Sequence, residues 1–167
     1  MKKLLLILML IAPMTIMAQQ KFGHINSQEV LASMPEFIKA KGEIDALQKQ
    51  YENDLKSMQD ELQRKAEEYD KTKSTMNATK QQETEQNLQE MYQKIQQTFQ
   101  DNQQALNKSM QEKMQPLQVK LLEAIKTVGK NGNYVYIMDI ATGIPYISET
   151  LSKDVTSEVK TQLNSMK

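Results

Sequence analysis

The chain has no cysteine, no tryptophan, a single histidine, five glycines and four prolines in 167 residues. Without cysteine there is no disulfide framework, no thiol nucleophile and no lipid-modified cysteine at a processed N-terminus. With His24 alone a histidine metal cluster is unavailable. On a predicted strand beside Phe22 and Ile25 it has no evident catalytic partner and reads as a structural residue. The glycines are scattered, and none opens a phosphate loop. These absences leave no catalytic residue, no cofactor site and no metal site to name, and they argue against an enzyme.

Charge of one sign is lacking too. Lys and Arg number 21, as do Asp and Glu. A near-neutral chain without a basic block gives nucleic acid nothing to grip. Aromatic residues make up 5% of the chain, and much of the 39% hydrophobic fraction sits at the N-terminus. So little packing material in a chain of this length points to an elongated or oligomeric protein.

What is present begins with export. Lys2 and Lys3 form a basic start, Leu4 to Ala12 an apolar run, and Ala18 a small residue placed for cleavage. The run is short for a membrane span, so residues 1–18 read as a signal peptide and not as an uncleaved anchor. Removing those 18 residues leaves 149, with 19 basic and 21 acidic side chains and a formal charge of −2.

The mature chain opens on "KFGHI", a short predicted strand at 21–25. Asn26 follows as a helix cap, with Glu29 three residues on in a capping-box pattern. Pro35 suits the first turn of the next helix. From there Ile44, Leu47, Tyr51, Leu55, Met58, Leu62, Ala66 and Tyr69 recur at spacings of three and four that close on an eleven-residue period. The period returns in Leu88, Phe99, Met110 and Leu121, and in Ile95, Leu106, Leu117 and Val128. Met58 and Met110 fit the seam as core fillers. Two matching helices joined near residues 74–81 make an antiparallel hairpin over residues 35–129. At 1.5 Å per residue its arms reach about 60–70 Å. Pro116 is expected to kink the second arm.

After Gly129 and Gly132 the stretch "NGNYVYIMDI" changes character and predicts a strand over 133–140. A turn at Thr142-Gly143, a second strand "PYIS" at 145–148 and a final helix capped by Ser152 or Asp154 complete the reading. Val155, Val159 and Leu163 form that helix's apolar face. Asp139 reads as a strand-end acceptor for backbone N–H groups. Three short strands from the two chain ends form a sheet with open edges, so oligomerisation is expected to cover them. The expected organisation is a signal peptide at 1–18, a body from 19–34 with 130–167, and the hairpin between. Phe22, Ile25, Tyr134, Val135, Tyr136, Ile137, Ile140 and Ile147 are the assembly candidates. Met76, Tyr69 and Met91 are candidates for soft contact with a partner.

The signal peptide, "KFGHINSQEVLASMPEF", the hairpin with its "KSTMNATKQQ" tip and the closing "NYVYIMDIATGIPYIS…SKDVTSEVKTQL" together resemble the Skp/OmpH family of periplasmic chaperones. The fold class is then mainly α, a coiled-coil-like prong with an eleven-residue repeat on a small α/β body that trimerises. The resemblance implies a homotrimer whose prongs enclose a cavity and hold unfolded outer-membrane β-barrel proteins without ATP. Its partners would be those clients, further copies of the chain and, weakly, the membrane surface. Members are often strongly basic, and this chain is not. A structural coiled-coil spacer of the periplasm is the rival reading.

Overall fold

A computed structural model describes residues 20–166, so the signal-peptide reading lies outside the described residues. The chain divides into two units, residues 20–33 with 119–166, and residues 34–118. The first holds strands β1 (Lys21–Ile25), β2 (Tyr134–Asp139) and β3 (Ser152–Asp154) with helices α1 (Ser27–Ser33) and α4 (Thr156–Ser165). The second holds α2 (Pro35–Thr72) and most of α3 (Ala78–Asn131).

In the sheet-bearing unit β1 is central, in the order β2-β1-β3, and both pairings are parallel. Parallel neighbours need long crossovers, and the β1-to-β2 crossover is the helical stretch itself. Phe22 pairs with Tyr136 and His24 with Met138. A register shift between Lys21 and Phe22 makes Val135 an extra residue. Such a bulge puts the residues on either side of it out of simple alternation. Tyr134 therefore shares a face with Ile137, and both crowd Gly23, where a Cβ would lie 3.1 Å from Ile137 and 3.2 Å from Tyr134. A side chain at position 23 would have to displace one of them.

The core of this unit is Ile25, Val30, Val155, Val159 and Leu163. Each buried aliphatic side chain stabilises by about 1.5–3 kcal/mol before the cost of ordering the chain. The predicted apolar face of the last helix is thus where the sequence put it. Asn26 caps α1 through its Oδ1, which accepts from Glu29 N at 3.1 Å. Glu29 does not close the box; its carboxylate pairs with Lys160 at 2.7 Å.

One predicted strand is absent. Residues 145–148 are irregular, and the third strand is the polar triplet Ser152–Asp154. Pro145 has no N–H to offer a ladder, and Gly143 turns the chain at φ 87° just before it. Ser152–Asp154 pairs through its backbone, and Val155 N continues the ladder to His24 O at 2.9 Å. Ser152 is therefore a strand residue and not a cap. Asp154 does serve the helix start, accepting from Thr156 N at 2.8 Å and Thr156 Oγ1 at 2.6 Å.

In the helical unit Pro35 stands first in α2 after an extended Met34, as its fixed φ favours. The turn comes at Lys73–Asn77, and Asn77 caps α3 by accepting from Lys80 N at 2.8 Å. Gln81 Nε2 reaches back to the carbonyls of Lys73 and Met76, closing the turn. Lys113 pairs with Glu43, and Tyr69 bonds to Glu85 across the turn. Both pairs join positions whose numbers sum nearly alike, which is the mark of antiparallel arms.

In α2 the eleven-residue set from Ile44 to Tyr69 is buried or half-buried throughout. In α3 six of the expected eleven-residue positions, Leu88, Ile95, Leu106, Leu117, Leu121 and Val128, are buried or half-buried. Between residues 84 and 109 the other covered positions are Thr84, Met91, Thr98, Asn102, Ala105 and Ser109, and with Leu88 and Ile95 these alternate by four and three. That is heptad spacing. Phe99 and Met110 lie outside it and are exposed, so Met110 is not a core filler. Thr98, Asn102 and Ser109 take seam positions alongside Leu88, Met91 and Ile95. α3 runs through Pro116 as one helix.

Candidate functional site

β2 has a neighbour on one side only. Among the described residues no strand lies against its outer edge, a row of backbone N–H and C=O groups that is the standard template for another chain. The side chains around this edge are apolar. Val135 is 57% exposed and Tyr136 50%, with Met138 and Ile140 exposed beside them. Tyr136 is held by a stack on Phe22, ring centroids 4.8 Å apart at 30°. Offset stacking of this kind fixes the ring's direction more than a lone aliphatic contact does.

The other assembly candidates divide. Ile25 is 1% exposed and belongs to the interior of the single chain, so it is withdrawn as an assembly residue. Tyr134 and Ile137 are half-buried against Gly23, and Ile137 also approaches Gly129. Ile147 is half-buried in the loop before β3. Tyr146 and Leu151, in the same loop, are the most exposed of the large apolar residues. Sequence reasoning missed both. Their signal is faint, since a loop has no periodicity against which an outward apolar residue stands out.

A depression of about 640 Å³ lies over β1 and β3, lined among others by Phe22, His24, Leu151, Ser152 and Asp154. His24 Nδ1 and Ser152 Oγ are 2.9 Å apart. Burial pushes the Asp154 carboxyl up. The O–H and N–H of Thr156 and the nearby His24 outweigh it and hold the group below the usual carboxylate range. With that carboxylate occupied by Thr156, the His24–Ser152 pair has no third group to orient it as a base. The pair ties β1 to β3. Asp139 behaves as the sequence suggests: its Oδ1 accepts from Ser27 N at 3.2 Å and Ala141 N at 3.0 Å.

In the helical unit Tyr69 is buried, and its hydroxyl donates to Glu85. That bond, more than burial or charge, pushes the Tyr69 hydroxyl up to about 12. Tyr69 therefore packs the hairpin's end and offers little surface to a client. Met76 and Met91 are half-buried. The large apolar side chains that face outward on α3 are Tyr92, Phe99 and Met110 in the helical unit, and Val119 and Leu122 beyond it.

Among the described residues no group of three His, Cys, Asp or Glu could hold a metal ion, and no helix is long and apolar enough to cross a membrane.

No curated protein matches the sequence. Among solved structures, a protein proposed to be an OmpH-like outer membrane chaperone from Caulobacter crescentus is similar at a TM-score of 0.72. The two are 16% identical, over 87% of this chain and 85% of that one, a likeness that shows the fold. The family model described as Outer membrane protein (OmpH-like) matches residues 21–163, nearly all the described chain, and the protein belongs to that family.

Proposed function

We propose that this protein is an ATP-independent holdase chaperone of the periplasm, which keeps unfolded outer-membrane β-barrel proteins from aggregating. Family membership supports the chaperone class. The observation that carries the reading furthest is the mismatch between reach and core. Two antiparallel helices pack along a narrow seam that mixes apolar side chains with Thr98, Asn102 and Ser109, and they leave Tyr92, Phe99 and Met110 to solvent. Such a surface gives an unfolded chain many weak contacts and no tight one, which delays aggregation and still permits release.

In this reading the chain works as a homotrimer. The open edge of β2, with Val135 and Tyr136 exposed, is the surface that a neighbouring copy covers, and three hairpins then surround a common space. The N-terminal 18 residues direct export and are removed.

The test is to dilute a urea-denatured outer-membrane β-barrel protein into buffer with the mature chain and follow light scattering. Suppressed scattering at molar excess of trimer is the expected result. Unchanged scattering there would end the chaperone reading and leave the structural-spacer role.

A further inference from the structure

Between Glu90 and Lys108 the only charged residues of α3 are Lys94 and Asp101, and the segment is rich in Gln and Asn. Asp101 is already engaged, accepting from Gln97 Nε2 at 2.8 Å. α2, by contrast, is dense in charge of both signs along its whole length. Tyr92, Phe99 and Met110 are seven and eleven residues apart, close to two and three helical turns, so they share one stripe about 27 Å long. Their exposures are 56%, 50% and 45%. Gln96 and Gln103 are exposed in the same stripe, between the apolar residues. The stripe is separate from the seam of Thr84 to Ser109 that packs the hairpin.

We infer that this uncharged stripe of α3, Tyr92–Gln96–Phe99–Gln103–Met110, is a binding strip for unfolded polypeptide of low charge, held by apolar anchors and by amide side chains that pair with its free backbone groups. The inference rests on the chaperone reading and adds to it which surface does the holding and which segments it selects.

A second folded helix fits the strip poorly. If Tyr92 and Phe99 filled one row of such a seam, Gln96 and Gln103 would fill the facing row. A buried polar residue at such positions costs stability unless it finds a partner. An extended chain removes the problem. Its backbone presents both N–H and C=O groups, and a Gln amide both donates and accepts. The absence of charge has a further consequence. Contacts made this way lack an electrostatic part, so they are insensitive to salt, in contrast to binding through the charged face of α2.

The experiment compares the mature chain with a triple variant, Tyr92→Ser with Phe99→Ser and Met110→Ser. Both are tested for binding to a urea-denatured outer-membrane β-barrel protein after dilution. The triple variant is expected to bind roughly tenfold more weakly, since exposed aromatic anchors dominate such contacts. Its helicity and sedimentation without client should match the unaltered chain. Binding by the unaltered chain should change by less than about twofold between about 0.05 and about 0.5 M sodium chloride.

Equal binding by the triple variant, with aggregation still suppressed, would overturn the strip and leave the chaperone reading standing. A changed sedimentation or melting of the client-free variant would assign the strip to a second copy of the chain and overturn it too. Strong loss of binding with salt would move the contact to the charged helix. If the unaltered chain suppresses no aggregation at all, the chaperone reading fails and the strip with it.

Discussion

The hydroxyl of Tyr69 donates to the carboxylate of Glu85, joining the two arms of the hairpin beside their turn. Lys73 sits 6.0 Å above the same ring. A long pair of helices with few apolar residues frays first at such an end, because the last turns have the least packing to hold them. One side chain thus fills the final layer of the seam and also bridges it.

Replacing Tyr69 by Phe keeps the ring and removes the bridge. Amide exchange in the turns around residues 66–90 should then quicken several-fold, with the body unaffected. The hydroxyl's upward shift also sets a pH signature. The folded state holds this proton more tightly than the unfolded one, so stability is complete below about pH 10 and falls between 10 and 12. The difference in melting between the unaltered chain and Tyr69→Phe should shrink across that window. A constant difference would mean the bond is not what the hydroxyl contributes.

The proposed assembly through β2 distinguishes Val135 from Ile137. Val135 faces outward, so Val135→Lys should fold, keep its helical signal and sediment as a monomer. Ile137 lies against Gly23 and Gly129, so Ile137→Lys should unfold the body itself. A Val135→Lys variant that remained trimeric would exclude this edge as the assembly surface.

Gly132 follows α3, and a Cβ there would lie 2.3 Å from the Tyr134 ring. Gly132→Ala must therefore displace the Tyr134 ring, whose opposite edge lies against Gly23, and disturb the pairing of β2 with β1. A loss of about 1–3 kcal/mol is expected in urea unfolding, the usual cost of overpacking.

Asp139 holds the backbone N–H groups of Ser27 and Ala141 at once. Asp139→Ala leaves both without that acceptor and should cost about 1–3 kcal/mol, and Asp139→Asn less, since its amide oxygen still accepts. Equal losses for the two variants would point to charge and not to the acceptor oxygen.

Acid should loosen the body through two of its carboxylates. Lys153 holds Glu158 below its usual range, and Asp154 is held low by Thr156 and His24 against the opposing effect of burial. Groups depressed in this way stabilise the fold above their ordinary values near 4, and that contribution is lost as pH falls through the window below. The melting midpoint should drop between about pH 5 and pH 3, and Asp154→Asn should flatten part of the drop.

Much of this molecule is written locally. Pro35 and Asn77 start the long helices, Asn26 starts α1, and the eleven-residue set from Ile44 to Tyr69 marks the covered face of α2. These features depend on neighbours a few residues away, so periodicity and cap chemistry reveal them. The strand at 134–139 was legible for the same reason. Which apolar residues of α3 turn inward was not. Phe99 and Met110 keep an eleven-residue spacing yet stay in solvent, while Thr98, Asn102, Ala105 and Ser109 are covered.

The third strand was hidden more deeply. Ser152–Asp154 carries no strand signature, and it pairs because β1 presents a free edge at that point and His24 meets Ser152 there. The sequence by itself determined the helices and their caps. Tertiary structure alone decided which stripe of α3 stays exposed and which polar triplet completes the sheet, since burial and ladder pairing depend on where a distant segment arrives.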